Sequence, residues 1–461
     1  MLVSGRVATV IAFIVFILPA LPAFPALPAL AQNTTTETPR STLFTNVRVF
    51  DGKGATLSDA INVLVRGNVI EKIAKEPIST DRSASTTIVD GKGRTLMPGL
   101  IDAHVHMTFS TVPLALIFSA DPNYTMLRDG KAAGEMLMRG FTSGRDTGGN
   151  SFGLKRTIDE GFIPGPRIWP SGAMISQTSG HGDYRTLHDL PRGPGDPLHS
   201  TERSGAVIIA DGAAEVLRRA REQLMLGASQ IKLAAGGGIV SNFDPLDVAE
   251  FTEAEIHAAV QAAENWGTYV TVHAYTPRAM QPAIRAGVLC IEHGQLTDEA
   301  TVKIMAEKGI WWSLQPFLDD EDAIPFPEGS ARRKGQIEIS NGTDTAYRLA
   351  KKYKIKTAWG TDTLFDERRA RRQGAQLSKL VRWYTPAEIL KMATADNAEL
   401  LALAGPRNPY PGKLGVVEEG ALADLLLVDG DPIANIKLIE YPEKNFVVIM
   451  KDGVVYKNTS K

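Results

Sequence analysis

Thr252-Glu-Ala-Glu-Ile-His-Ala-Ala-Val-Gln-Ala-Ala-Glu-Asn-Trp-Gly-Thr-Tyr-Val-Thr-Val-His273 holds a complete helix-then-strand unit. Thr252 and Glu255 have capping-box spacing, in which the hydroxyl serves one backbone N–H and the carboxylate returns to the other. Ile256, Ala259, Val260 and Ala263 follow on one helical face, and Gly267 can take the left-handed conformation that ends a helix. Tyr269-Val-Thr-Val272 then reads as a short buried strand, with His273 at its end.

The same order recurs on both sides. Residues 212–226 read as a helix stopped by Gly227 before Gln230-Ile-Lys-Leu233. Residues 277–286 stop at Gly287 before Val288-Leu-Cys-Ile291, and residues 298–308 stop at Gly309 before Ile310-Trp-Trp-Ser-Leu314. Repeated units of this kind predict an α/β chain, a parallel sheet with helices outside. The roughly 300 residues of 99–405 suit a (β/α)8 TIM-type barrel better than an open doubly wound sheet, since no Gly-x-Gly-x-x-Gly turn follows a strand. Gly236-Gly-Gly238 follows the Lys232 strand but lacks the Lys-Ser/Thr ending of a phosphate loop.

Outside that region the period changes to two. Residues 44–50 and 63–70 alternate in polarity around the turn signals Asp51-Gly52 and Gly67-Asn68. The texture returns at 423–428, 447–450 and 454–456. Short antiparallel strands are expected there, forming a small β-sandwich domain built from both chain ends (residues 32–98 and 406–461), with the barrel inserted between them. Residues 33–41, polar and Thr-rich, read as a loose leader.

Composition bounds the function. Of 461 residues, 43% are hydrophobic and 22% charged, which excludes a disordered polymer and a polytopic membrane protein. Fifty basic against 52 acidic residues give a net charge of −2, no footprint for nucleic acid, so small-molecule chemistry is favoured. Arg6, the apolar run 7–18 and Ala29-Leu-Ala31 have the form of a secretory signal over residues 1–31, cleaved near Ala31, which implies a secreted or periplasmic protein. An uncleaved anchor is the alternative. The run is shorter than the ~20 residues of a membrane helix, so no stable span is expected after signal removal. Cys290 is the only cysteine; it excludes an intramolecular disulfide and thiolate clusters, and reads as a buried small residue.

Any metal must then be held by His, Asp, Glu or something less usual. His104 and His106 alternate on a strand, so both imidazoles face one side. His273, His293 and Asp362 also fall at predicted strand ends, where barrel chemistry gathers. Singly, each histidine is as well explained by packing; together at one barrel mouth they point to a metal site. Lys232 lies in the apolar strand Gln230-Ile-Lys-Leu-Ala234, which an ammonium avoids unless paired. A neutral amine that captures CO2 would instead be a carbamate able to bridge two metals. A lysine that snorkels or pairs with an acid is the competing account.

The runs LMPGLIDAHVHM, QIKLAAGGG, VTVHAY, CIEHG and WGTDT, in this order, resemble the metal-ligand strands of the amidohydrolase superfamily. The flanking β domain matches too. The chain is similar to the peptidase-like branch, with imidazolonepropionase-like, Xaa-Pro dipeptidase and ochratoxin-hydrolysing members, and ISQTSGHGDYR around His181 is another such segment. The resemblance implies two divalent metal ions, usually Zn2+: His104, His106 and Asp362 on one, His273 and His293 on the other, and carboxylated Lys232 between them. It implies a hydroxide bridging the metals, with Asp362 moving its proton to the departing amine, and a homo-oligomer.

The expected activity is hydrolysis of amide or peptide bonds in small substrates, of carboxypeptidase or dipeptidase type, extending to ochratoxin-like mycotoxin amides. His181 is a second carbonyl polariser or a loop histidine bonding its neighbours. Tyr184 and Tyr275 bind a substrate carboxylate by analogy, or pack. Residues 181–203 and 315–345 read as long loops that shape the pocket, and Trp311, Trp312 and Phe317 line it or fill the core. A deaminase or cyclic-amide hydrolase is the alternative chemistry, weakened because Val272-His-Ala-Tyr-Thr276 lacks a His-x-x-Glu signature; a non-catalytic binding protein would have lost ligands.

Overall fold

The computed structural model describes residues 40–81, 85–193 and 195–460, so the signal reading over 1–31 and most of the leader lie outside the described residues. Thr252 and Glu255 exchange the predicted capping bonds at the start of Glu253–Asn265, and Val270–Ala274 follows as the strand. Eight parallel barrel strands run in chain order: Leu100–Val105, Phe141–Asp146, Arg167–Pro170 continued by Met174–Ser176, Ile231–Ala234, Val270–Ala274, Cys290–His293, Trp311–Leu314 and Thr357–Trp359. The third is broken at 171–173; its first half pairs with the second strand and its second half with the fourth.

The seam between the eighth and first strands is closed by hydrogen bonds around one buried acid. Asp102 Oδ1 accepts from the backbone N–H of His104 and of Thr361, each at 3.1 Å, and Oδ2 accepts from Thr361 Oγ1 and Gln373 Nε2, each at 2.8 Å. The Asp362 N–H donates to the His104 carbonyl at 2.9 Å. A side chain at Gly360 would meet His104 backbone and Cβ atoms at 2.4 Å, so this approach requires glycine.

The β domain is one eight-stranded sheet drawn from residues 41–98 and 425–458. Ile70 near one edge and Val448 near the other share a core with Phe44 and Leu427, so the sheet folds back on itself. It is mixed rather than wholly antiparallel. Ser41–Val49 pairs antiparallel with Ala60–Arg66 but parallel with Thr86–Asp90 and Thr95–Pro98, because the chain crosses to the other edge of Ser41–Val49 and runs there in the same direction. Ser41 already belongs to a strand, which shortens the expected leader.

The segment 315–345 is also less loop-like than expected: Ala331–Lys352 is a long helix beginning within it. Its polar run, with Gly335 and Gly342 inside, hides the helical period because only a narrow stripe such as Ile339, Thr343 and Ala346 is buried. No helix among the described residues is long and apolar enough to cross a membrane.

Candidate metal and catalytic site

The strand order places six side chains at the C-terminal mouth of the barrel. His104, His106, Lys232, His273, His293 and Asp362 all line one cavity, which encloses about 1340 Å³ when counted out to its open mouth. His181, Tyr184 and Tyr275 line it as well. His293, which ends its strand, and Asp362, in the loop three residues after Trp359, have φ of 74° and 48°, in the left-handed region that costs a non-glycine residue about 1–3 kcal/mol. Both sites hold that strain where a side chain must turn inward.

Each strand-end imidazole has one nitrogen committed to a protein oxygen. His104 Nδ1 donates to Glu292 Oε2 at 2.8 Å, His106 Nδ1 to the Gly148 carbonyl at 3.0 Å, His273 Nε2 to the Gly237 carbonyl at 3.2 Å and His293 Nδ1 to Gln315 Oε1 at 2.8 Å. In the neutral ring that leaves the other nitrogen for a ligand, the arrangement metal-binding histidines need. At His104 burial lowers the imidazole, but the Asp362 and Glu292 carboxylates outweigh it and raise it above its usual range. The His104 and His106 Nε2 atoms lie 3.3 and 3.2 Å from Asp362 Oδ1. Ligand atoms of His104, His293 and Asp362 all lie within 4.8 Å of one another, a group able to hold a metal ion. His273 joins through its ring, 4.6 Å from that of His293.

The electrostatics favour the same use. Burial, with the neighbouring His181 and His293 rings, holds His273 far below the usual imidazole range, and burial does the same to His293 against the pull of Asp362. Burial also lowers His106. For Asp362 burial favours the neutral acid, but His104 and hydrogen bonds from both His104 and His106 outweigh it and hold the carboxyl well below its usual range. Burial pushes Lys232 down, with Glu292 and Asp362 opposing, so the uncharged amine is favoured relative to a lysine in water. Among the described residues no carboxylate lies within 4 Å of its nitrogen, which argues against the salt-bridge account.

Glu292 and Arg145 were not singled out from sequence. Glu292 joins His104 to Arg145, whose Nη2 is 2.6 Å from Glu292 Oε1, and accepts a hydrogen bond from Thr271. Both side chains are fully buried. The Arg145 charge holds the Glu292 carboxyl well below its usual range despite burial. The signal that exposes Lys232, a charge in an apolar strand, is present for Glu292 in Val288-Leu-Cys-Ile-Glu292 too, but not for Arg145, whose strand Phe141-Thr-Ser-Gly-Arg-Asp146 is polar.

His181 does bond its neighbours: Nδ1 lies 3.0 Å from both Ser241 Oγ and Asp244 Oδ2, leaving Nε2 on a ring stacked 3.9 Å from that of His273. A side chain at Gly238 would sit 2.1 Å from the His181 ring, which explains a glycine run that is not a phosphate loop. Tyr275 meets His273 edge-on and stacks on His293, with ring centroids 5.1 Å apart in both cases. Of the three aromatic candidates for the pocket wall, only Phe317 lines the cavity; Trp311 and Trp312 are core, and Trp312 Nε1 donates to the His293 carbonyl at 2.6 Å. Cys290 is buried and free.

Beneath His181, Glu250 Oε1 accepts the His181 N–H at 2.8 Å. Burial pushes this carboxyl up to about 9 despite that bond, and the Asp244 charge adds to the rise. The folded protein therefore retains a proton that the unfolded chain, with a carboxyl near 4.5, releases. Stability conferred by the protonated native form is lost as pH rises between those values. Glu250→Gln keeps the acceptor and removes the titration. Its unfolding free energy should exceed wild type by on the order of 2–4 kcal/mol at pH 8, and the gap should vanish near pH 4. Denaturant unfolding across pH checks this; a pH-independent difference would contradict it.

Residues 95–458 match the Amidohydrolase family. The ochratoxinase of Aspergillus niger is 30% identical over 423 residues, covering 88% of this chain and 84% of its own. A prolidase solved with N-methylphosphonate-L-proline superposes with a TM-score of 0.81 at 31% identity, covering 91% of this chain and all of its own. A Xaa-Pro dipeptidase with methionine bound in its active site gives 0.77 at 28%, covering 91% and 100%. The protein therefore belongs to the amidohydrolase family and is a hydrolase of carbon–nitrogen bonds, carried on a TIM-type barrel with an added β domain.

Proposed function

We propose that the chain is a two-metal amidase of carboxypeptidase or dipeptidase type that releases an amino acid from small N-acyl amino acids or dipeptides, with ochratoxin-like amides among its substrates. The observation that carries this reading is the set of four imidazoles, each with one nitrogen held against a protein oxygen, gathered with Asp362 and Lys232 at one mouth. Similarity to the ochratoxinase and to the two dipeptide-cleaving enzymes supports the substrate class.

His104, His106 and Asp362 would hold one divalent ion, His273 and His293 the second, and Lys232, carboxylated by CO2, both; Zn2+ is the expected metal. When bound, such ions supply a water acidic enough to be hydroxide near neutrality and a Lewis acid for the substrate carbonyl. Asp362 takes the proton as the water oxygen bonds to the carbonyl carbon, and delivers it to the nitrogen as the C–N bond breaks. His181 would polarise the carbonyl in its protonated form, with Asp244 accepting from Nδ1–H and Nε2–H donating to the carbonyl oxygen. The Tyr184 and Tyr275 phenols donate to the substrate; burial raises both above their usual range and keeps them protonated. Export guided by residues 1–31 to the periplasm or medium, and assembly as a homo-oligomer, complete the reading.

Dialysis against a chelator is expected to abolish amino-acid release from an N-acyl amino acid, and zinc to restore it. Full activity in metal-free protein would overturn the proposal; release of ammonia instead of an amino acid would point to a deaminase.

A further inference from the structure

The cavity carries a cation that the metal chemistry does not use. Arg369, in the short helix Glu367–Arg371 that follows the Asp362 loop, is 5% exposed and lines the cavity. Its Nε has no hydrogen-bond partner. Among the described residues no carboxylate lies within 4 Å of its guanidinium, although several stand nearby. Those acids are committed elsewhere. Asp322 pairs with Lys379 and Arg372, each at 2.6 Å; Asp320 pairs with Lys379 at 2.7 Å; Asp366 faces Arg368 at 3.6 Å and caps the helix. Lys379, the other cation on this wall, is thereby neutralised.

A buried guanidinium without a contacting counter-ion is costly. Burial lowers its pKa, and the charges of Asp362, Asp366 and Asp322 only partly compensate. A donor fork held beside a reaction centre matches a planar anion in shape and charge. The tyrosines can donate hydrogen bonds but bring no charge. They also sit elsewhere: around the closed ring of eight strands, the loops of Tyr184 and Tyr275 are each three strands from that of Arg369.

We infer that Arg369 is a specificity residue that binds a carboxylate of the substrate, so that the preferred substrates are anionic amides. This rests on the amidase reading above. The carboxylate can belong to the departing amino acid or to the acyl group, and two substrates separate these sources. N-benzoyl-phenylalanine carries it on the leaving side, N-succinyl-phenylalaninamide on the acyl side, and N-benzoyl-phenylalaninamide on neither.

With the metal-loaded enzyme, Arg369→Gln is expected to raise KM about tenfold to a hundredfold for the anionic substrate that Arg369 holds, with kcat little changed, as loss of a charged hydrogen bond predicts. Arg369→Lys should recover part of that loss, and the neutral substrate should be unaffected. An equal loss on all three would make Arg369 a packing residue; no loss on either anionic substrate would equally overturn the inference. If wild type cleaves none of the three, the amidase reading fails, and equilibrium binding of 3-phenylpropanoate against 3-phenylpropanamide still decides the matter. Preference for the anion that disappears in Arg369→Gln sustains the role; a preference that persists places the anion elsewhere and refutes it.

Discussion

Lys232→Met should lower amidase activity at least about a thousandfold, the roughly 4 kcal/mol of barrier that a dismantled metal site forfeits. Purified protein should carry half or less of the wild-type metal. The reason lies in its strand. Ile231–Ala234 is buried throughout, and burial disfavours the ammonium, so this lysine is suited to react with CO2 as a free amine. Methionine matches the length and apolar stem but offers no nitrogen, so the barrel should still fold. Lys232→Glu, which restores a carboxylate, should retain more metal than Lys232→Met. Undiminished metal in the methionine variant, measured by atomic emission, would reject the carbamate.

Asp362→Asn should cost about a hundredfold to ten-thousandfold in kcat, the range for a lost general base, with KM changed far less. Asparagine is the right replacement because φ here is 48°, a conformation that asparagine tolerates and that a β-branched residue would resist. The 2.9 Å bond from the Asp362 N–H to His104 is a backbone contact and survives the change. Thermal unfolding should therefore stay cooperative while turnover collapses. Retention of more than about a tenth of kcat would assign the proton to another group.

Sequence reading reached the barrel because its punctuation is local. Gly227, Gly267, Gly287 and Gly309 each follow a helix, and the strand after each carries or adjoins a functional side chain. Lys232 could be found because an apolar strand makes a charge conspicuous. Glu292 satisfies the same criterion, whereas Arg145 lies in the polar run Phe141-Thr-Ser-Gly-Arg-Asp146, where a charge is inconspicuous and only packing shows that it is buried. Arg369 was beyond sequence: its neighbourhood, Asp366-Glu-Arg-Arg-Ala-Arg-Arg372, looks like an ordinary solvated charge run, and only packing shows which arginine turns inward. The break at 171–173 was equally hidden, since the chain on either side continues in the same direction and differs only in which neighbour it pairs with.

The sheet drawn from both chain ends imposes an order on biosynthesis. Thr95–Pro98 pairs antiparallel with Leu425–Val428, so one edge of an early strand waits for a partner made more than 300 residues later. At ribosomal speeds of about 5–20 residues per second, that interval is on the order of 15–70 seconds. During it, buried residues such as Leu96 and Met97 have no native cover on that side. The nascent chain is thus exposed to aggregation until its final strands emerge, and loss of a few dozen C-terminal residues would remove the lock from a barrel that is otherwise fully synthesised.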